Sequence, residues 1–178
     1  MRTVPHPVMV VTAEERNGKS KGLLVSSFNT VTLSPEPIVS FNIKLPSSTY
    51  DGILRSRRFS ISAVWCPDTA HAFATGNSKG LPNDLHERRA FALRCEWLEH
   101  KSVEIHDHVI MLGRVLEYIP PLPTREATTP LIYSQGDYRK ASPPLKELHK
   151  HQNTLSNRQK QLKWSMIDAK IDWPSDPQ

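Results

Sequence analysis

The stretch that decides the fold reads GLLVSSFNTVTLSPEP, from Gly22 to Pro37. It is a strand-like run with two adjacent serines, Ser26 and Ser27, in its middle and a Pro-x-Pro stop at its end. Small hydroxyl residues in mid-strand give up hydrophobic burial, so they indicate a sheet whose backbone and hydroxyls face a polar ligand. A second hydroxyl cluster, with a lysine, follows in NIKLPSST, from Asn42 to Thr49. Two such clusters joined by one strand could hold the two ends of an elongated phosphorylated molecule.

Many short strands with few helices predict a mainly β protein, an antiparallel β-barrel with short flanking helices. Period-two patterns and turn residues place strands at residues 8–12, 22–33, 38–43, 59–64, 91–97, 108–118 and 131–133, the last being the final strand. Asn17-Gly18-Lys19 is predicted as a turn, and Gly113 as a bulge. Short helices are expected from Thr49 to Ser56, with its apolar residues turned inward, and over residues 70–74, capped by Asp68.

The length of 178 residues favours one domain with an appendage, which we place at residues 1–140 and 141–178. The net charge of +5 belongs to the tail, because residues 139–170 contain eight lysines and arginines against two acidic residues. No aromatic platform accompanies these charges, so we expect no nucleic-acid binding. Leucines seven residues apart predict a C-terminal helix over 145–168, with a disordered tail as the alternative.

Two cysteines, Cys66 and Cys95, are too few for a disulfide framework, which favours a reducing intracellular compartment, either cytoplasm or mitochondrion. Cys66 has no base next to it in the sequence, and we expect it to be a small buried residue. No apolar run is long enough to span a membrane, so no membrane association is expected.

Five motifs occur in a fixed order along the chain. They are the serine-rich strand, NIKLPSST, FSIS from Phe59, DHVI with GRV from Asp107, and PLIY with GDYR from Pro130. Together they resemble the flavin reductase-like, FMN-binding split-barrel family over about residues 2–140. The opening RTVPHPV is most similar to the fungal members. The resemblance implies a homodimer that holds flavin near the subunit interface and reduces it with NADH or NADPH.

The resemblance also implies which residues bind the cofactor, FMN or alternatively FAD. The edge of the isoalloxazine ring would be lined by Val25, Ser26, Ser27 and Phe28. The phosphate would be held by Lys44, Ser47, Ser48 and Thr49, because hydroxyls and amides at a helix start suit an anion. A plain helix cap at Ser48 or Thr49 is the competing interpretation. Asn42 would reach the ribityl chain or the phosphate.

Three residues further along complete the candidate site. His108 would lie near the flavin ring and the nicotinamide, as a neutral donor to the carboxamide or as an electrostatic partner. Alternation would put His106 on the same strand face. Tyr138 could cover the flavin, and Arg139 could pair with a phosphate, although a packed strand and an exposed arginine remain possible. No carboxylate or cysteine completes a metal site around these histidines.

The predicted function is therefore an FMN-binding oxidoreductase that reduces flavin with NADH or NADPH. Three alternatives stay open at this point: a flavin carrier or monooxygenase partner without efficient turnover, an oxygenase that uses bound flavin directly, and a basic binding module built on the tail. Uptake of a yellow chromophore separates the flavin proteins from the basic module. Anaerobic reduction by NADH or NADPH then separates a reductase from a passive binder.

Overall fold

The computed structural model describes residues 3–14, 20–76, 85–122 and 129–140 of the chain. Most of these residues lie in strands. The elements, in chain order, are β1 (His6–Pro7), β2 (Met9–Glu14), β3 (Ser20–Val25), β4 (Asn29–Thr32), β5 (Ile38–Lys44), α1 (Ser48–Ser56), β6 (Arg58–Val64), α2 (Pro67–Ala74), β7 (Arg89–Trp97), a 3₁₀ turn (Glu99–Lys101), β8 (Val103–Ile105), β9 (His108–Ile119), β10 (Leu131–Ser134) and β11 (Asp137–Lys140). The predicted turn at 17–19 and the predicted helix at 145–168 fall outside the described residues.

The main sheet has eight antiparallel strands in the order β3-β2-β6-β7-β9-β5-β4, with β8 paired to β9. Strands β3 and β4 follow each other in the chain, yet they lie at opposite ends of this order. The sheet must therefore curl until its two ends approach each other, which gives the predicted half-open barrel. A smaller sheet, β1-β10-β11, pairs the start of the chain with the last described hairpin.

The predicted single strand over residues 22–33 is wrong. The structure divides it into β3 and β4, and Ser26, Ser27 and Phe28 form the connection between them. The connection crosses the gap between the two ends of the curled sheet, so its backbone cannot continue either ladder. The feature that looked like a polar strand interior is thus the segment that closes the barrel.

Two apolar clusters stabilise the fold, one on each face of the sheet. The barrel interior is filled by large side chains from β5, β6, β9 and α1, and those with at most 1% exposure are Phe41, Ile43, Ile53, Ile61 and Met111. The second cluster lies under α2 and includes Val10, Ala70 and Phe73. Strand β2 contributes to both, because its alternate side chains point to opposite faces. This explains its unbroken apolar run.

Three local predictions need correction. Helix α2 begins at Pro67 with Cys66 as its N-cap residue, so Asp68 lies in the first turn and does not cap the helix. The bulge lies at Leu116, where Arg94 pairs with Glu117 and Cys95 with Val115, while the β5–β9 ladder runs through Gly113 without a shift. Strand β10 is followed by β11, so it is not the final strand.

Burial along β7 also departs from the predicted alternation. Simple alternation placed Phe91 and Leu93 on one face with Cys95 and Trp97. In the structure the buried residues of β7 are Ala90 and Ala92 in the part before Arg94, and Cys95 and Trp97 in the part after it.

None of the described helices combines the length and the hydropathy that a membrane-spanning helix needs.

Candidate functional site

The end of β3 opens into a cleft of about 190 Å³. Its lining consists of Val8, Leu24, Val25, Ser26, Tyr133 and Tyr138. Val25 is buried and forms part of the cleft floor, whereas Ser26 is exposed and presents its hydroxyl to solvent. Two predicted ring contacts, Val25 and Ser26, therefore share a cleft with the predicted aromatic cover, Tyr138. Tyr133, the last residue of the PLIY motif, lines the same cleft.

The aromatic wall of this cleft is a cross-strand pair. Tyr133 on β10 and Tyr138 on β11 are register partners, and their ring centroids lie 5.7 Å apart. The pair is joined by a tight turn in which Gln135 and Gly136 have φ values of 58° and 87°. Burial, and to a smaller extent the neighbouring Tyr133, raises the pKa of Tyr138. The Tyr138 phenol therefore stays neutral at physiological pH and can act as a hydrogen-bond donor.

The structure does not bring Arg139 into this cleft. Its guanidinium stays on its own hairpin, where Nε donates to the Ser134 carbonyl at 3.5 Å and Nη2 donates to Gln135 Oε1 at 3.3 Å. Neighbouring residues of a strand point to opposite faces, so the side chain of Arg139 lies on the other side of β11 from Tyr138. Arg139 is therefore the exposed arginine that the competing interpretation described.

Ser27 has a different environment from Ser26. Its Oγ accepts a hydrogen bond from the backbone N–H of Asn42 on β5, at 2.8 Å. This bond ties the β3–β4 connection to β5, directly beyond the end of the β4–β5 ladder. Phe28 is partly buried and packs against the interior cluster. Ser27 and Phe28 thus hold the closing segment in place, while Ser26 is left at the surface of the cleft.

The two serines make a matched pair of variants. Ser27→Ala should lower the free energy of unfolding by about 1 kcal/mol, because the Asn42 N–H loses its partner. Ser26→Ala should change it by less than about 0.5 kcal/mol, as is usual for an exposed side chain. Urea denaturation of both variants checks this difference. Equal destabilisation by the two substitutions would show that the hydrogen bond between Asn42 N–H and Ser27 Oγ does not stabilise the fold.

A second polar group lies at the far end of β5. Lys44 is the register partner of His108 at the start of β9. Asp107, in the turn before β9, joins both: its Oδ2 lies 3.6 Å from Lys44 Nζ, and its Oδ1 lies 2.7 Å from His108 Nδ1. The backbone N–H of Leu45 also donates to the Asp107 carbonyl at 2.7 Å. The β8–β9 turn is therefore fixed to the segment that leads into α1.

The charge state of Asp107 decides the tautomer of His108. The hydrogen bond from His108 is the main cause of a lowered pKa of this exposed carboxyl; desolvation opposes it, and the charges of His108 and Lys44 add to the lowering. The carboxylate can only accept, so His108 Nδ1 must carry the proton. In neutral His108, Nε2 is then an acceptor. With this hydrogen bond in place Nε2 would accept from a carboxamide N–H group, and the role of His108 as a donor stays a prediction.

The start of α1 combines capping with donors for an anion. Ser47 is the N-cap residue, and its Oγ accepts from the backbone N–H of Tyr50 at 3.3 Å. Ser48 is exposed in the first turn, and Lys44 is 71% exposed nearby in sequence. Thr49 is only 2% exposed, so the protein itself encloses its hydroxyl and a phosphate cannot contact it. The Thr49 side chain therefore drops out of the candidate site.

Asp107 is the residue that sequence reasoning missed. Its place directly before His108 was visible, but no role was assigned to it because its contact with Lys44 depends on the pairing of β5 with β9. His106 is not on the strand face of His108, since it occupies the same turn with φ 53°. In the described part of the chain, no group of three or more His, Cys, Asp or Glu residues could hold a metal ion.

Known proteins share this fold. The NADH-dependent flavin reductase StyB of Pseudomonas fluorescens is 25% identical over 150 residues, which cover 78% of this chain and 84% of that protein. The solved structure of the styrene monooxygenase flavin reductase SMOB from Pseudomonas putida S12 has a TM-score of 0.63 at 20% identity, covering 81% of this chain and 95% of that one.

A third similar protein is SgcE6, the NADH:FAD oxidoreductase of Streptomyces globisporus. Its structure has a TM-score of 0.61 at 24% identity, with 82% of this chain and 85% of that chain covered. The family model of the flavin reductase like domain matches residues 1–142, which is most of the 178-residue chain. The chain therefore belongs to the flavin reductase-like family.

Proposed function

We propose that this chain is a flavin reductase that binds FMN and reduces it with NADH or NADPH. The observation that carries the proposal is the placement of two polar groups on either side of the Ser27–Asn42 hydrogen bond. One is the cleft with Ser26 and the two tyrosines, and the other is Lys44 with the start of α1. Membership of the flavin reductase-like family and the similarity to StyB support the same function.

The residues present fit the chemical parts of FMN. Ser26 offers a hydroxyl to a polar ring edge, and Val25 with Tyr138 offers an apolar and aromatic surface to a flat ring. Exposed Asn42 would contact the ribityl chain, and Lys44 with Ser48 and the α1 amides would hold the phosphate. The flavin, when bound, accepts a hydride from the nicotinamide. The protein has only to bind, orient and shield the two partners.

His108 is proposed to position the nicotinamide through Nε2. Asp107 holds the other ring nitrogen at 2.7 Å, which fixes both the ring orientation and the position of the proton. A carboxamide N–H₂ could donate to Nε2 in this tautomer. Asp107 acts only through His108 and Lys44, so it is a positioning residue.

His108→Ala should lower kcat/KM for NADH about tenfold, the equivalent of one lost hydrogen bond. Asp107→Asn should give a smaller, few-fold loss of kcat/KM. The amide oxygen can still accept the hydrogen bond from His108 Nδ1, but it holds the imidazole ring less strongly than a carboxylate does. The loss should appear mainly in KM, since the histidine orients the nicotinamide and does not take part in hydride transfer. His100→Gln, in the exposed 3₁₀ turn, is the control. A His108→Ala enzyme with unchanged KM would remove this residue from the site.

The homodimer is also a proposal. Strand β8 exposes Val103 and Ile105 by 51% and 46%, and Ile105 pairs with His108. A second copy placed on this face would cover apolar surface and border the candidate site. Val103→Asp and Ile105→Asp should each shift sedimentation equilibrium towards monomer, whereas Leu116→Asp at the other end of β9 should not. A wild-type chain that is monomeric at micromolar concentration would contradict the dimer.

The electron acceptor is proposed to be a monooxygenase partner that receives reduced flavin. The similar protein SMOB is the flavin reductase of a styrene monooxygenase, and this supports the proposal. SgcE6 acts on FAD, so FMN and FAD should be titrated side by side. Tighter binding of oxidised than of reduced flavin would support release to a partner. Retention of reduced flavin through repeated turnover would favour direct use of bound flavin.

A further inference from the structure

The two cysteines of this chain occupy opposite environments. Cys95 lies in the barrel interior at 1% exposure, and burial raises the pKa of its thiol to about 12. Cys66 is half-buried at the N-cap of α2, next to the exposed residues Pro67 and Asp68. The expectation that Cys66 is a small buried residue with no activating neighbour is therefore wrong. Its neighbours come from the helix start and from a residue distant in sequence, which the sequence alone could not show.

Three features surround the Cys66 sulfur. Arg88 donates to it from Nη1 at 3.8 Å. Cys66 is the N-cap residue of α2, so the first helical turn, with Asp68 and Thr69, follows it directly. Thr69 is fully buried, and its Oγ1 has no hydrogen-bond partner in the described part of the chain. A thiolate is the form of Cys66 that such donors favour, because it only accepts hydrogen bonds.

The electrostatic balance at Cys66 favours the thiolate. Desolvation by burial is the largest single effect and would raise the pKa of the thiol, but the hydrogen bonds from Thr69, Asp68 and Arg88 outweigh it and lower the pKa. The start of a helix adds a positive partial charge. Pro67 has no N–H group, so the donors at this end of the helix are those of Asp68 and Thr69. Reactive cysteines are typically found in such electropositive, partly exposed positions.

We propose that Cys66 is a covalent modification site that forms a mixed disulfide with small-molecule disulfides. The Cys66 thiolate attacks one sulfur of the disulfide, a new bond forms between Cys66 and that half, and the old S–S bond breaks. The second half leaves as a thiolate, and this thiolate takes a proton from water if its pKa lies above the pH of the solution. The protein thiol is oxidised, and the departing half is reduced, so no further oxidant is needed.

The choice of a small disulfide follows from the surroundings. Cys66 is only partly exposed, so a small disulfide has easier access to its sulfur than a bulky protein disulfide. The guanidinium of Arg88 next to the sulfur would favour a disulfide that carries carboxylates. Helix α2 packs into the second apolar cluster, against which Tyr133 and Tyr138 also pack. A mixed disulfide at Cys66 would therefore form at the end of the element that supports the tyrosine cleft.

The test uses the full-length chain, whose sequence contains only these two cysteines. A bis(nitrobenzoate) disulfide reagent releases a coloured thiolate, so both the number and the rate of reacting thiols can be followed from pH 6 to pH 9. We expect one thiol per chain to react, with a rate midpoint below the value of about 8.5 of an unperturbed cysteine. The second thiol should react only in denaturant. Cys66→Ser should abolish the fast reaction, and Cys95→Ser should leave it unchanged.

Two further variants test whether the Cys66 thiol reacts because its neighbours lower its pKa or only because it is exposed. Thr69→Val, which keeps the shape of the side chain, and Arg88→Gln should each move the rate midpoint to higher pH while the thermal melting curve stays close to wild type. Oxidised glutathione should then modify the wild-type protein at Cys66, as measured by peptide mass mapping. A midpoint at or above that of a model thiol, or equal reaction of Cys95 in the folded protein, would overturn the proposal.

Discussion

Replacement of Lys44 by glutamine should weaken FMN binding by about 10- to 100-fold and leave riboflavin binding unchanged, because a charge-assisted contact to phosphate contributes about 1.5–3 kcal/mol. The Lys44 side chain is 71% exposed and has Asp107 at 3.6 Å as its partner, so its removal should hardly change stability. Riboflavin has no phosphate, which separates loss of a phosphate contact from general damage to the ring site. Fluorescence titration with both flavins measures the two affinities.

Lys101→Gln is the matched control, since Lys101 is an exposed lysine in the 3₁₀ turn outside the candidate site. Ser48→Ala should weaken FMN binding in the same direction but less. Ser47→Ala is a poor probe because it removes the cap of α1, which alone costs about 1 kcal/mol. If Lys44→Gln lowers the FMN and riboflavin affinities equally, the phosphate does not bind at this end of β5.

Gly113→Ala should lower the free energy of unfolding by about 1–3 kcal/mol, as overpacking of a filled core does. A Cβ atom on Gly113 would lie 2.3 Å from Phe59 Cζ and 3.4 Å from Cys95 Cβ. Phe59 is 4% exposed and packs edge-on against Phe41, with 5.3 Å between ring centroids, so the ring must give up part of this contact to make room for the new Cβ. Alanine would otherwise be favoured over glycine in a strand by up to about 1 kcal/mol, so a destabilised variant identifies the clash as the cause.

A double-mutant cycle isolates this clash. Phe59→Leu removes the ring atoms that meet the new Cβ, at the expense of a cavity. In that background Gly113→Ala should cost about 1 kcal/mol less than in the wild type, because contacting residues are coupled. Denaturant unfolding of the four proteins gives the coupling free energy. Strict additivity would mean that the two positions do not meet and that Gly113 has another role.

The alternating strands were predictable because their signal is local. Residues 38–43, 59–64 and 108–118 show period-two patterns, and the structure has β5, β6 and β9 there within a residue or two. The break at Ser26, Ser27 and Phe28 was not predictable, since it depends on the curl of the whole sheet. The bulge at Leu116 has the same origin, because it appears only in the register between β7 and β9.

The candidate site shows the same division. The residue types of Ser26, Lys44 and His108 predict the site in the sequence, and all three are exposed in the structure. The sequence could not show the tertiary contacts of these residues. The burial of Thr49, the hydrogen bonds of Arg139 within its own hairpin and the contacts of Asp107 with Lys44 and His108 all depend on the folded structure.

Anaerobic reduction of flavin-loaded protein tests the central claim most directly. Purified protein is titrated with FMN and FAD, and the complex is mixed under nitrogen with NADH and, separately, with NADPH while the absorbance of oxidised flavin is recorded. We predict that the protein takes up flavin, that at least one nicotinamide nucleotide bleaches it completely, and that excess flavin is then reduced over many turnovers. A protein that takes up neither flavin, or one whose bound flavin stays oxidised with both nucleotides, would contradict the account.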